Sequence, residues 1–275
     1  MNQMVSVIVT TRNEADVIER LLQSIIHQTY SKKEIILVDN NSSDDTVSIA
    51  KRYTKKVFNF GPERSAQRNY GAKKAQGEYL LFLDADMELE DTVLEECVTE
   101  MKRRKNIGGV IIPEQSVAKN LWEKVKAYER SFYNDQGDDI TDAARFFLRK
   151  AYDEAGGYDE SITGPEDWDL PETIKKLGFR IIRIKSKIFH YERIKSPLQL
   201  ARKKYYYALK SHRYLKKQKV PLIGPKTVYF LRPVFWRNWK KLIAHPILSS
   251  LMFLMFCFEL GGGAAGFIFG KMKKA

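Results

Sequence analysis

Four short apolar runs within the first 84 residues, Val5–Thr10, Glu34–Asp39, Val57–Asn59 and Tyr79–Asp84, alternate with segments of helical spacing. The segment Glu14–Gln28 carries Val17, Ile18, Leu21, Leu22, Ile25 and Ile26 on one helical face, with Asn13 placed to cap it. Asp44–Tyr53, begun by Ser42 or Ser43, and Glu63–Gln76 are the next two predicted helices. Strands separated by helices of ten to fifteen residues imply βαβ units, hence a mostly parallel sheet covered by helices on both faces. The spacing predicts further helices over Thr92–Arg104, Val117–Tyr133 and Leu170–Leu177, the last closed by Gly178. Further strands are expected at Gly108–Ile112, Ala143–Leu148, Phe179–Ile184 and Ile188–His190. After Ser196-Pro197 the character changes to long, basic, aromatic helices. The expected division is therefore a globular α/β domain over 1–195, basic aromatic interfacial helices over 196–242, and a hydrophobic membrane segment over 243–275.

Charge follows the same division. The net charge of +13 suggests at first a nucleic-acid binder. Residues 191–275, however, hold 18 Lys and Arg against Glu192 and Glu259, a net of +16, whereas residues 1–190 carry a net of −3. Cations interleaved with Tyr, Trp and Phe beside an apolar stretch suit an anionic membrane surface better than nucleic acid. Cys97 and Cys257 lie far apart in dissimilar surroundings, so neither a disulfide framework nor a zinc pattern is present. The apolar run beginning at Val5 is too short for a secretory signal, which predicts a catalytic part on the cytoplasmic side of the cell membrane.

In open α/β sheets, ligands bind beyond the C-terminal ends of the strands. Strand one ends in Thr10-Thr11-Arg12-Asn13-Glu14, strand two in Asp39-Asn40-Asn41-Ser42, and strand four in Asp84-Ala85-Asp86. No Gly-x-Gly-x-x-Gly or P-loop follows strand one, which argues against a dinucleotide-dependent dehydrogenase. Two aspartates one residue apart suit a hard cation, Mn²⁺ or Mg²⁺, that bridges a diphosphate.

The succession VSVIVTTRNE, EIILVDNNSSDDT, SAQRNYGAKKAQGEYLLFLDADMEL and AGGYDES–PEDWDL resembles the family 2 glycosyltransferases over roughly residues 5–190. That resemblance implies a Rossmann-like GT-A fold and an inverting, metal-dependent transfer from a UDP- or GDP-linked sugar. It implies that Thr10, Thr11, Arg12, Glu14 and Asn41 lie along the nucleotide and that Asp39 reads the base. Arg68 is similar to the arginine that meets phosphate oxygens. By the same resemblance, Asp84 faces ribose or sugar and supports the metal, Asp86 binds it directly, and His190 is a third ligand to metal or diphosphate. Asp167 matches the carboxylate that takes the acceptor's proton, with Glu166 orienting it. A polyprenyl-phosphate sugar synthase of the dolichol-phosphate-mannose-synthase kind would use the same donor site. A nucleotidyltransferase would share the Asp-x-Asp metal site, but the glycine-rich phosphate loop it ordinarily carries is missing from Thr10–Glu14.

Pro246–Gly270 is nearly all apolar or small and, as a straight helix of about 37 Å, long enough for a hydrocarbon core of about 30 Å. Glu259 costs roughly 3 kcal/mol at mid-bilayer, nearly cancelling the gain from the eight Leu, Ile and Phe of Ile247–Leu260. Both a single span and a re-entrant hairpin broken at Gly261-Gly262-Gly263 are compatible with the flanking lysines. Gly262, Gly266 and Gly270 recur at four-residue spacing, as in helix contacts between the copies of an oligomer. Basic aromatic helices over Leu198–Lys219 and Thr227–Leu242 would lie among headgroups, bringing the acceptor side close to a lipid-linked or saccharide acceptor.

Overall fold

The computed structural model describes residues 3–134, 137–138, 140 and 142–272. Its chain divides into two compact units. The first comprises residues 1–114, 143–160 and 167–190; the second comprises 115–142, 161–166 and 191–275.

The first unit opens with β1 (Val5–Thr11), α1 (Ile18–Ile26), β2 (Lys33–Asp39), α2 (Thr46–Ala50), β3 (Val57–Asn59), α3 (Arg64–Lys74) and β4 (Tyr79–Asp84). It continues through β5 (Met87–Leu89), α4 (Val93–Arg103), β6 (Ile107–Ile111) and the first residue of β7 (Glu114–Val117). After α5 (Leu121–Arg130), which lies in the second unit, come β8 (Ala144–Leu148), α6 (Arg149–Glu154), α7 (Glu166–Lys176), β9 (Arg180–Arg183) and β10 (Ile188–Tyr191).

The main sheet has the order β3-β2-β1-β4-β8-β6-β9. Its pairs are parallel except at β8, which runs antiparallel to both β4 and β6. Alternate strand residues face opposite helix layers, as the period-two geometry of a strand requires. Val5, Val7 and Val9 of β1 pack with Leu21, Leu22 and Ile25 of α1 and with Leu94 and Val98 of α4. Ile8 joins Phe82, Ala72 of α3, Tyr152 of α6 and Ile174 of α7 on the other face. Central strands covered on both faces are apolar throughout, and β1 is buried along its whole length.

Crossovers from β1 lead outward on one side to β2 and β3, then back across to β4 on the other. The sheet therefore reverses direction between β1 and β4, where a ligand crevice forms. Gly71 lets α3 close on that edge, since a Cβ there would stand 2.5 Å from Ile8 Cγ2.

Several boundaries differ from the sequence expectation. Asn13 does not cap α1. It adopts a left-handed backbone (φ 54°), and its carbonyl oxygen accepts from the Ser43 N–H at 2.8 Å, tying together the loops after β1 and β2. The second helix starts at Thr46 rather than at Asp44, because Asp44 turns back to accept from the Thr46 N–H. Val117 ends β7 instead of opening a helix; Asn120 starts α5 with a reciprocal capping box to Glu123. Helix α7 begins at Glu166, four residues before Leu170, with Pro171 still within its opening turns. The short strand β5, pairing antiparallel with β10, was not foreseen.

The second unit gathers α5 with α8 (Pro197–Ala208), α9 (Ser211–Gln218), a 3₁₀ turn (Tyr229–Leu231), α10 (Pro233–Arg237), α11 (Trp239–Ala244) and α12 (Pro246–Met272). The basic helices expected over Leu198–Lys219 and Thr227–Leu242 are each broken into shorter pieces, the second by Pro233 and Asn238. Helix α12 runs unbroken through Gly261–Gly263, which removes the hairpin alternative. The glycines expected at an oligomer contact serve α8 of the same chain: Cβ atoms on Gly262, Gly266 and Gly270 would stand 2.2, 2.1 and 2.0 Å from the carbonyl oxygens of Ala201, Tyr205 and Leu209. Glu259 is likewise paired internally, with the Lys126 ammonium at 3.2 Å, and that ammonium also pairs with Glu129. Burial works against the charge on Lys126, but the two carboxylates prevail and raise its pKa.

Candidate active site

The residues at the β1–β4 crevice are placed by strand register. Thr10 lies opposite Asp84, and Thr11 opposite Asp39. Asp39 is buried, and its carboxylate accepts three hydrogen bonds, from the Thr11 hydroxyl at 2.7 Å, the Ser42 N–H at 2.7 Å and the Ser42 hydroxyl at 2.5 Å, leaving room for one more. The Thr10 hydroxyl is buried without a hydrogen-bond partner among the described residues. A buried orphan hydroxyl is costly, and it is the kind of group a bound ligand satisfies. Asn41, left-handed at φ 51°, is held by Asn59, whose amide donates to its side-chain oxygen at 2.6 Å. Arg12 is exposed beyond β1, and the Glu14 N–H donates to the Thr46 hydroxyl at 2.7 Å. Helix α3 is sewn to the strand ends by Gln67, whose amide donates to the carbonyls of Val38 and Thr11 at 2.8 and 3.2 Å.

One turn of that anchoring puts Arg68 in the floor of the crevice. It is fully buried, which sets it apart from an ordinary cation on a helix surface. Its guanidinium donates to Asp167 Oδ1 at 2.6 Å and to Asp84 Oδ1 at 3.1 Å, and lies 4.9 Å from the Tyr158 ring centre. The second oxygen of Asp84 faces Arg145 Nη1 at 3.5 Å, and Arg145 in turn grips Glu114 at 2.7 Å. Glu114 reaches His190 Nδ1 at 3.0 Å, and His190 Nε2 stands 3.6 Å from Asp86 Oδ2. An unbroken polar chain thus runs Asp167–Arg68–Asp84–Arg145–Glu114–His190–Asp86. Burial pushes the Asp84 carboxyl upward, but the guanidiniums of Arg68 and Arg145 prevail and hold it well below the usual carboxylate range. Glu114 and Asp84, against the effect of burial, push Arg145 upward.

The donor set suits a divalent cation. Four carboxylates, Asp84, Asp86, Glu114 and Asp167, gather around the guanidiniums of Arg68 and Arg145, with the Arg64 charge also acting on Asp84. Asp86 Oδ2 and His190 Nε2 are close enough to share one ion, and Glu114 on the opposite ring nitrogen is the carboxylate–histidine support found behind metal-bound imidazoles. Among the described residues no group of three or more His, Cys, Asp or Glu is gathered for a metal. Two protein donors, with phosphate and water completing the shell, is the arrangement that Mg²⁺-like ions ordinarily accept.

Sequence reasoning singled out both ends of this chain and missed the middle. Arg145 and Glu114 went unnoticed, although a charged residue inside the apolar run Ala144–Leu148 was the available signal. Glu166, the first residue of α7, is buried, while Asp167 after it is partly exposed.

The fold recurs in the Pyrobaculum calidifontis mannosyltransferase PcManGT, solved in complex with GDP-Man and Mn²⁺. That likeness has a TM-score of 0.60 at 21% identity, covering 97% of this chain and 74% of that one. Among curated proteins, the cholesterol galactosyltransferase of Borreliella burgdorferi is 38% identical over 99 residues, 33% of this chain and 27% of the relative. The GalNAc(5)-diNAcBac-PP-undecaprenol beta-1,3-glucosyltransferase of Campylobacter jejuni is 39% identical over 92 residues, 30% of each chain. The matched stretches thus span less than a third of either curated relative. The family model of glycosyl transferase family 2 matches residues 6–156, from β1 through the end of α6. That match takes in more than half of the 275 residues, together with the crevice residues from Thr10 to Arg145, and the chain belongs to that family.

Proposed function

We propose that the chain is an inverting, metal-dependent glycosyltransferase that moves a sugar from a UDP- or GDP-linked donor to a lipid-linked or saccharide acceptor during glycan assembly. The observation that carries this reading is the polar chain joining Asp167 to Asp86 across the crevice. It couples a partly exposed carboxylate suited to proton transfer with a carboxylate–imidazole pair suited to a cation. Mn²⁺ or Mg²⁺ held by Asp86 and His190 would neutralise charge on the departing diphosphate.

In this reading Thr10, Thr11, Arg12, Glu14 and Asn41 line the nucleotide, and the Asp39 carboxylate accepts from a base N–H. Asp84 faces ribose or sugar, its orientation set by two guanidiniums. Arg68 is a positioning residue: with Asp84 and Asp167 on its fork, it orients both carboxylates instead of reaching for phosphate. Asp167 takes the proton from the acceptor hydroxyl as that oxygen attacks the anomeric carbon opposite the diphosphate, with Glu166 helping to orient it. The acceptors named for the two curated relatives, cholesterol and an undecaprenol-linked saccharide, support a lipid-linked acceptor, and the basic C-terminal third supports catalysis at the cytoplasmic face of the membrane.

A thermal-shift panel of nucleoside diphosphates with and without Mn²⁺ or Mg²⁺ tests the donor half. One diphosphate is expected to raise the melting temperature only with metal present; no response to any of them would refute the reading. Mass spectrometry after incubation with membrane lipids tests the acceptor half. Glycosylated soluble acceptors alone would remove the lipid clause, and a sugar attached directly to a polyprenyl phosphate would favour the synthase alternative.

A further inference from the structure

Helix α12 has two unlike sides. The side carrying Ser249, Met252, Met255, Phe256, Glu259, Gly266 and Gly270 is buried within the second unit. On the other side Ile247, Leu254, Phe258, Ile268, Phe269 and Met272 are exposed, with the small or weakly polar Ser250, Cys257, Gly261, Ala264 and Ala265 also exposed between them. From Pro246 to Gly270 the helix exposes no charged side chain, and Lys271 is exposed only in its last turn, at the end of a helix about 40 Å long. An apolar strip of that extent is far larger than a soluble surface ordinarily exposes.

We propose that α12 is a monotopic membrane anchor that lies in the plane of an anionic bilayer, its exposed strip among the acyl chains and its other side on the protein, instead of crossing the bilayer. This deepens, and rests on, the membrane-linked reading above. The neighbours of α12 weigh against a crossing. Its C-terminal half touches the backbone of α8 at Ala201, Tyr205 and Leu209, and α8 carries Arg202 and Lys203 exposed to solvent. At mid-helix, Glu259 is tied to Lys126, and through it to Glu129. A span would draw all these charges into hydrocarbon, where each is costly. Lying flat, α12 keeps them on the water side.

Charge complementarity selects an anionic bilayer over a second copy of this chain. The 18 Lys and Arg of residues 191–275 stand against two acids, and a second copy would bring the same positive excess to the contact. Trp236, half exposed and stacked 6.0 Å from Phe253 of α12, and the exposed Trp239 suit the headgroup layer beside the strip.

The chain supplies its own probe. Cys257 is exposed on the strip near mid-helix, whereas Cys97 is buried, so a thiol-reactive fluorophore labels Cys257. The full chain is floated with phosphatidylcholine vesicles, with and without phosphatidylglycerol, and the fluorophore is quenched by lipids spin-labelled at shallow or deep acyl positions. Flotation that requires phosphatidylglycerol, with stronger quenching by the shallow label, is expected. Ile268→Asp, on the exposed side, should abolish flotation and leave the melting temperature unchanged. Stronger quenching by the deep label would overturn the in-plane anchor while leaving membrane attachment standing. Failure to float at all, or self-association that shields the fluorophore from both quenchers, would overturn attachment itself.

Discussion

Replacing Arg68 with Met separates positioning from binding at this site. Arg68 is fully buried and joins Asp167 at 2.6 Å to Asp84 at 3.1 Å. The replacement keeps most of the side-chain volume but removes the guanidinium bonded to Asp167 and leaves Asp84 with Arg145 at 3.5 Å. Taking one member from a buried ion network costs about 3–5 kcal/mol. Asp84 and Asp167 are each partly exposed, so water recovers part of that loss, and about 2–3 kcal/mol is expected. At about 2–4 °C per kcal/mol, the melting temperature should fall by roughly 4–12 °C. Two carboxylates released from their register should also lower the transfer rate by about 10²-fold or more. Metal-dependent nucleotide binding should change far less, because the ion pairs of Arg68 run to Asp84 and Asp167, whereas Asp86 faces His190 and Asp39 is held by Thr11 and Ser42. Scanning fluorimetry, isothermal titration with the nucleoside diphosphate and single-turnover transfer read these three effects. A variant that keeps wild-type transfer with a melting temperature within about 2 °C of the parent would refute the argument that Arg68 organises the crevice.

Asp86→Ala and Asp167→Asn should each abolish transfer, but only Asp86→Ala should weaken metal-dependent nucleotide binding in calorimetry; equal loss of binding in both would overturn the division of roles. In the second unit, Lys126→Met leaves Glu129 and Glu259 buried together without their shared cation and should cost about 3–5 kcal/mol in thermal or denaturant unfolding. Glu259→Leu leaves the Lys126–Glu129 pair intact and should stay within about 1 kcal/mol of the parent; the reverse order would refute the account of α12 docking. Burial pushes the Glu34 carboxyl upward, but Lys56, the Ser6 hydroxyl and the Gln76 N–H together hold its pKa below the ordinary 4.5. Its stabilising contribution is therefore complete above pH 4.5 and lost as pH falls through the lower folded value, so Glu34→Gln should flatten the acid side of the stability–pH curve.

The alternation of apolar strands with helices, and the polar residues at strand ends, were legible in the sequence because both are local. Period-two and period-3.6 patterns report which face of an element is buried, and parallel order follows from crossover length. The loop after β1 was misread for a related reason: Asn13 has the chemistry of a cap, and only the nearby Ser43 decides that its oxygen is used across loops. Arg145 stood out only as a charge inside an apolar run and Glu114 not at all, since their meaning lies in reaching Asp84 and His190 from distant parts of the chain.

The C-terminal third divides in the same way. Hydropathy determined that Pro246–Gly270 would need an apolar environment, leaving a single helix and a broken hairpin both open, and charge counting determined that its surroundings would be basic. Neither reveals which side of the helix is already taken. Packing decided that: glycines four residues apart admit the α8 backbone, and Lys126 answers Glu259, so one side of α12 belongs to the protein. The physical reason is that propensity and periodicity are sums over neighbours in sequence, whereas the partner of a buried charge or a glycine face is set by residues far along the chain.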